Sequence, residues 1–302
     1  VFVHDRQTGQ TTRVSVASDG AQGDAGSLSP SLSADGRYVA FTSYASTLVP
    51  GDTNGYPDVF VHDRQTGQTA RISVASEGTQ GDSHSYYPAL SADGRYVAFT
   101  SAASNLVPGD TNGMPDAFVH DRQTGQTARV SVASEGTQGN GQSESAALSA
   151  DGRYVALYST AANLVPGDTN GEQDVFVHDR QTGQTARVSV ASDGTQTNNW
   201  SGSPALSADG RYVVFGSMAS NLVPGDTNGV FDIFVHDRQT GQTARVSVAS
   251  EGTQGNGQSW SAALSADGRC VAFDSSAATL VPGDTNGTWD VFVHERIVRS
   301  SY

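Results

Sequence analysis

Apolar and polar residues alternate with period two over short stretches of this chain, and turn-forming residues separate those stretches. In Arg95–Ser101 ("RYVAFTS"), Tyr96, Ala98 and Thr100 fall on one side of an extended backbone, and Val97 and Phe99 on the other. Thr127–Ser134 ("TARVSVAS") sets Arg129, Ser131 and Ala133 against Val130 and Val132 in the same way. No stretch of ten or more residues carries a helical period, so the pattern predicts short strands joined by turns.

The pattern recurs every 58 residues: "ADGR" begins at Ala34, Ala92, Ala150, Ala208 and Ala266, and "DTNG" at Asp52, Asp110, Asp168, Asp226 and Asp284. Each unit reads as four strands. In the second, Pro88–Ser91 ("PALS") is followed by an "ADG" turn in which Gly94 can take a positive φ. Arg95–Ser101 follows, then the long loop "AASNLVPGDTNGMP", Asp116–Asp121 ("DAFVHD"), a tight "RQTGQ" turn and Thr127–Ser134. A four-stranded sheet cannot shield both its faces. Five such sheets stacked radially can, which predicts one all-β domain over residues 1–302, a five-bladed β-propeller with four antiparallel strands per blade.

Val1–Asp5 ("VFVHD") nearly duplicates Val291–Glu295 ("VFVHE"). The expected closure therefore places Thr11–Ser18 as the fourth strand of the last blade, pairing the N- and C-terminal segments. One "VFVH" copy then lies outside the blade or pairs with a neighbouring molecule.

The words "LSADGRYVAFTS" and "DVFVHDRQTGQTARVS" resemble the TolB-like propeller repeat, a relative of the WD repeats. That family combines a small-Asp-Gly turn, an aromatic-rich second strand, and a third strand ending in Asp before a Thr-Gly turn. The resemblance spans all five units and implies the fold. It does not select a function, because the family includes binding platforms, sensors and hydrolase-associated domains. The inserted "LVPGDTNG" departs from the shorter family loops.

Charge narrows the partners. The net charge is −14, and all 17 basic residues are Arg, spread over the repeats rather than clustered. Nucleic-acid backbone binding needs concentrated positive charge, so nucleic acid is not expected as a partner. No apolar run is long enough to insert in a membrane. The lone Cys270 replaces the Tyr of the other repeats (Tyr38, Tyr96, Tyr154, Tyr212), which reads as a strand substitution rather than a nucleophile. A secreted or cell-surface setting is the expectation.

Variation among the repeats points to one face. "ADG" and "RQTGQ" hardly change, whereas the fourth-to-first connector and the pair after "DTNG" drift. Those variable positions hold Tyr56, Tyr86, Tyr87, Trp200, Phe231, Trp260 and Trp289. Large rings outside a core suit a recognition surface, here for glycan or protein ligands. A purely structural module, natural or engineered, is the alternative.

Asp-Thr-Asn-Gly-x-x-Asp offers oxygen ligands for Ca²⁺. The candidates are Asp52, Asn54 and Asp58; Asp110, Asn112 and Asp116; Asp168, Asn170 and Asp174; Asp226, Asn228 and Asp232; and Asp284, Asn286 and Asp290. The same residues could instead make side-chain-to-backbone turns. The repeated "VHDR" (His62, His120, His178, His236) reads as a polar latch between strands or blades, and His84 as a solvated loop residue. Catalysis needs one asymmetric constellation. With near-equal sites in every repeat no catalytic residue is assigned; a glycoside hydrolase using Glu144 and loop aspartates is the lesser alternative.

Overall fold

The computed structural model describes residues 1–296, apart from the side chains of residues 145 and 146. Every regular element among them is a strand. The N-terminal segment ahead of the first full repeat forms β1 (Phe2–His4) and β2 (Thr11–Arg13), a two-stranded antiparallel sheet. Next come β3 (Ser27–Leu32), β4 (Tyr38–Ser43), β5 (Asp58–Asp63) and β6 (Thr69–Arg71), hydrogen-bonded in chain order. The same four-stranded meander is built by β7 (Ser85–Leu90), β8 (Tyr96–Ser101), β9 (Asp116–Asp121) and β10 (Gln126–Arg129). It returns as β11 (Ser143–Leu148), β12 (Tyr154–Ser159), β13 (Asp174–Asp179) and β14 (Gln184–Arg187). A further copy is β15 (Ser201–Leu206), β16 (Tyr212–Ser217), β17 (Asp232–Asp237) and β18 (Gln242–Arg245). The last sheet has three strands, β19 (Ser259–Leu264), β20 (Cys270–Ser275) and β21 (Asp290–Glu295).

Three expectations are corrected. Thr11–Arg13 pairs with Phe2–His4, with Phe2 opposite Arg13 and His4 opposite Thr11, and not with the last sheet. Among the described residues β21 has no fourth-strand neighbour. The first strand of each complete blade starts earlier than the "PALS" words suggested: β7 begins at Ser85 and carries a bulge between Tyr86 and Ala89. Tyr86, Tyr87 and Trp260 are therefore strand residues rather than connector residues. The fourth strand is shorter than predicted, because after Arg129 the backbone turns away; the equivalent turn after Arg71 is closed by a bridge between Val74 and Gln80.

The chain divides into two compact units, Val1–Val132 with Gln142–Val155, and Ala133–Gly141 with the chain from Ala156 onward. In the first unit the core forms where one sheet leans on the next. Val59, Val61 and Ile72 of one blade pack with Val97, Phe99, Leu106 and Phe118 of the following one. Burying side chains of this size contributes roughly 1.5–3 kcal/mol each. In the second unit Ile233, Val235 and Val246 meet Val271, Phe273 and Leu280 in the same manner.

Polar latches accompany these apolar seams, as "VHDR" led one to expect. His62 Nδ1 and Thr69 Oγ1 are 2.9 Å apart, and Thr69 Oγ1 donates across the seam to the Val16 carbonyl. Asp63 receives two hydrogen bonds from Arg37, at 2.9 and 2.7 Å, a bidentate pair that holds its carboxyl well below the usual carboxylate range. Arg122 lies over the ring of Tyr38, 4.2 Å from its centroid. Gly94 is doubly required in this seam: its φ is +70°, and a Cβ there would sit 2.3 Å from Tyr38 Cδ2.

The "ADG" and "RQTGQ" turns share one end of each sheet, where Arg64 Nη1 donates to the Gly36 carbonyl. The connector and the "DTNG" loop share the other end, where Asn54 Nδ2 donates to the Gly81 carbonyl at 2.9 Å and Ser85 N to the Pro57 carbonyl. The variable positions thus gather at one end of their sheets.

Candidate binding site

The carboxylates nominated for Ca²⁺ already face a cation in four repeats, and it is a guanidinium. Arg71 Nη1 lies 3.3 Å from Asp52 Oδ1 and 3.3 Å from Asp58 Oδ2. Arg129, Arg187 and Arg245 bridge Asp110 and Asp116, Asp168 and Asp174, and Asp226 and Asp232. Asp58 also accepts from Ser73 Oγ at 2.6 Å, and Asp52 from Gln80 Nε2 at 3.0 Å. Asn54 turns its amide nitrogen, not its oxygen, toward Asp58. Its oxygen accepts the Tyr56 N–H, and Asn112, Asn170 and Asn228 repeat this arrangement. This donor set does not fit a bound cation: the central place is taken, and the amide oxygens cap the loop. Burial pushes Asp52 and Asp58 upward, opposed at Asp58 by Ser73 and Arg71 and at Asp52 by Arg71 and Gln80. In the last repeat Asn286 Nδ2 again donates to Asp290. Among the described residues no group of three His, Cys, Asp or Glu side chains is placed to hold a metal.

The aromatic candidates separate into two clusters. In the first unit Tyr56, His84, Tyr86 and Tyr87 form a row, with successive ring centroids 6.2, 5.1 and 5.8 Å apart. Tyr87 occupies the bulge of β7 with φ +55°, a conformation that Ser29, Ser203 and Ser261 share at the matching positions. A bulky ring in that region is strained, yet it stands half out of the protein. Burial, then the neighbouring Tyr44 and Tyr87, push the Tyr86 hydroxyl above its ordinary value. His84, read from the sequence as a solvated loop residue, is the link between Tyr56 and Tyr86.

In the second unit Phe231 and Trp260 stack face to face, with centroids 3.8 Å apart and planes within 5°. Trp200 leans on both, 5.1 Å from Phe231 and 6.4 Å from Trp260. Phe231 is buried while Trp260 remains 37% exposed, so the trio has a rooted ring and an offered one. Two glycines make room for it. Gly202 and Gly216 stand directly opposite each other in β15 and β16, where the first and second repeats pair Leu28 with Thr42 and Tyr86 with Thr100. A Cβ on Gly216 would lie 2.1 Å from Phe231, and one on Gly202 2.7 Å from Trp200. Sequence reasoning missed these glycines; the signal was a Gly at a strand position held by larger residues in every other repeat.

The polar surroundings of the trio are neutral amides and hydroxyls, with one carboxylate. Gln258 accepts from Trp260 Nε1 at 3.1 Å, and Gln173 Nε2 donates to the Ser201 carbonyl. Asp274, the cross-strand partner of Trp260, keeps Oδ1 buried without a hydrogen bond. Trp289 is exposed and makes no ring contact among the described residues, so it stands outside both clusters. Glu144 lies in β11 and accepts from Gln142 Nε2 at 2.7 Å.

No family model and no curated protein sequence matches the chain. Solved structures do. TolB from Acinetobacter baumannii superposes with a TM-score of 0.51 at 19% identity, over 92% of this chain. The chain spans 57% of that TolB's length. The fold is that of a TolB-like β-propeller. The same fold appears in an oligogalacturonate lyase from Vibrio parahaemolyticus (TM-score 0.55, 14% identity, 98% of this chain and 68% of the lyase). It appears too in the β-propeller domain of the trilobed protease from Pyrococcus furiosus (0.53, 11%, 90% and 69%). At these identities the likeness concerns the TolB-like fold alone, and function has to come from the site.

Proposed function

We propose that this TolB-like propeller is a non-catalytic, multivalent binding protein whose variable-loop end recognises glycans, with protein surfaces as the alternative ligand class. The reading rests on one observation: the Phe231–Trp260 stack, rooted on paired glycines and leaving an indole face to solvent. Rings held rigidly with part of their surface exposed gain contact area at small entropic loss, which is how aromatic residues serve at recognition sites. The flanking Gln and Ser groups are neutral donors and acceptors suited to hydroxyl-rich ligands. The tyrosine row of the first unit offers a second, differently shaped platform. Two weak sites on one chain would gain by avidity on a repetitive polymer. Such a role suits a secreted or cell-surface protein, and it uses no metal.

The test is a titration with a panel of neutral and acidic oligosaccharides, read by calorimetry and by tryptophan emission. Trp260→Ala and Tyr87→Ala should each weaken binding about tenfold, a loss of about 1.4 kcal/mol, with Trp260→Ala costing in stability no more than the about 0.5–1.5 kcal/mol of its ring stack and Tyr87→Ala leaving the melting temperature unchanged. A panel that binds nowhere, or binding untouched by both changes, refutes the reading.

A further inference from the structure

The end of each sheet that carries the "ADG" and "RQTGQ" turns keeps exposed residues unchanged between repeats. Gln7, Gln65, Gln123, Gln181 and Gln239 hold one position of the turn, and all are exposed. Their backbone N–H groups serve the turn, as Gln123 N does by donating to Asp121 Oδ1 at 2.9 Å. Among the described residues their side-chain amides have no hydrogen-bond partner. The opposite end of the same repeats has drifted: the position of His84 reads Gly26, His84, Gln142, Trp200 and Gln258. An exposed glutamine with no structural contact, kept while its own repeat changed elsewhere, points to a second working surface.

In the first unit this surface contains a notch of about 290 Å³ lined by Tyr38, Asp93, Gly94, Arg95, Arg122 and Gln123. Its acceptors are already used. Asp93 Oδ1 accepts from Ser91 Oγ at 2.6 Å and from Arg95 N at 2.9 Å. Both carboxylate oxygens of Asp121 accept from Arg95, at 2.9 and 2.7 Å. Its donors are not. A guanidinium has five N–H groups. Arg122 gives one, from Nη1 to the Gly94 carbonyl at 2.6 Å, and among the described residues no carboxylate pairs with it. What remains is a half-buried fork, held over Tyr38, beside the unused amide of Gln123. The charges of Asp93, Arg95, Asp121 and Arg122 cancel, so the net charge of −14 is carried by other parts of the chain.

We propose that this end docks an acidic segment of a partner protein, with a Glu or Asp side chain entering the notch. Its carboxylate would take the free edge of the Arg122 guanidinium, and the Gln123 amide would donate beside it. A planar guanidinium fixed in place matches a carboxylate with two parallel hydrogen bonds. A sugar fits less well. The one ring of the notch, Tyr38, has Arg122 4.2 Å and Arg37 4.7 Å from its centroid, so it is not offered for stacking. Arg64 and Gln65 repeat the pair one blade earlier, with Arg64 Nη1 on the Gly36 carbonyl. A segment with several acidic side chains gains by engaging both.

The probe is poly-L-glutamate, titrated by calorimetry at low and at physiological salt. Binding is expected, weaker at the higher salt. The double variant Gln65→Glu/Gln123→Glu sets a carboxylate of the chain's own beside each fork while leaving the contacts of Arg122 with Tyr38 and Gly94 in place. It should weaken binding at least tenfold with an unchanged melting temperature. Ala70→Glu/Ala128→Glu adds the same charge at exposed positions that do not line the notch, and should weaken binding less than twofold. Tyr87→Ala, at the other end of its sheet, should leave the affinity unchanged, so a failure of the glycan reading is told apart from a failure here. No binding at low salt, or an equal loss in the two double variants, overturns the proposal. So does equal binding of a polyuronate of the same charge, which would make the notch a site for acidic glycans.

Discussion

Gly216→Thr separates propensity from packing, because the two predict opposite signs. Thr occupies this position in β4 and β8 (Thr42, Thr100), and a strand interior favours Thr over Gly by about 0.5–1 kcal/mol. In the fourth repeat, however, the added Cβ would fall 2.1 Å from Phe231 Cε1 and 2.6 Å from Cζ. The opposing residue is another glycine and the ring is buried against the strands, so it can only leave. Exposing a phenylalanine forfeits about 1.5–3 kcal/mol, and losing the stack on Trp260 a further 0.5–1.5 kcal/mol. The net expectation is a destabilisation of about 1–4 kcal/mol. Urea unfolding of the variant beside the parent measures it, and Trp260 should report the lost partner as a red-shifted emission. The double variant Gly216→Thr/Phe231→Pro recreates the Thr42 and Pro57 pair of the first complete blade, so it should recover stability but not ligand binding. A stabilised single variant with unchanged emission would refute the packing argument.

Three other outcomes are expected. Arg129→Ala removes the guanidinium between Asp110 and the fully buried Asp116, so it should destabilise by about 3–5 kcal/mol in urea unfolding; a loss below about 1 kcal/mol would show that the carboxylates do not depend on it. Burial depresses the pKa of His62, His120, His178 and His236, so the unfolded chain binds protons that the folded one refuses. Stability from these groups is complete above the unfolded value of about 6.5 and falls as pH drops from there toward the lower folded values; melting temperatures from pH 8 to 5 check this, and a fourfold His→Gln variant should flatten the slope. Tyr87→Gly relieves a positive φ and should stabilise the protein by about 1 kcal/mol, while weakening whatever ligand the tyrosine row holds; calorimetry and glycan titration on one preparation read both.

Period-two alternation in "RYVAFTS" and "DAFVHD" located β8 and β9 to within a residue, and the 58-residue recurrence carried those strands through the chain. That much was legible because a strand's side-chain period is a local property of the backbone. The latch role of "VHDR" was legible for the same reason, since alternation puts His62 opposite Thr69 and Asp63 within reach of Arg37. The start of β7 was misread, because a bulge at Tyr87 breaks the alternation just where the strand begins. The "DTNG" loops pointed to a cation and carry one in four repeats, but it arrives on Arg71 and its equivalents, 13 residues beyond the loop's last aspartate.

What the sequence determined by itself is the blade: four short strands, their turns, and the end of the sheet at which variable residues collect. Tertiary structure alone decided which of those residues meet. Trp200, Phe231 and Trp260 are spread over 60 residues, and only the opposed glycines of two neighbouring strands make a hole into which the rings can converge. The same holds for β2, whose sequence suits β1 and β21 alike, so that only three-dimensional placement chooses between them. Alternation and turn chemistry act between residues a few positions apart, whereas ring stacking, ion pairing and strand choice depend on distances that the folded chain alone supplies.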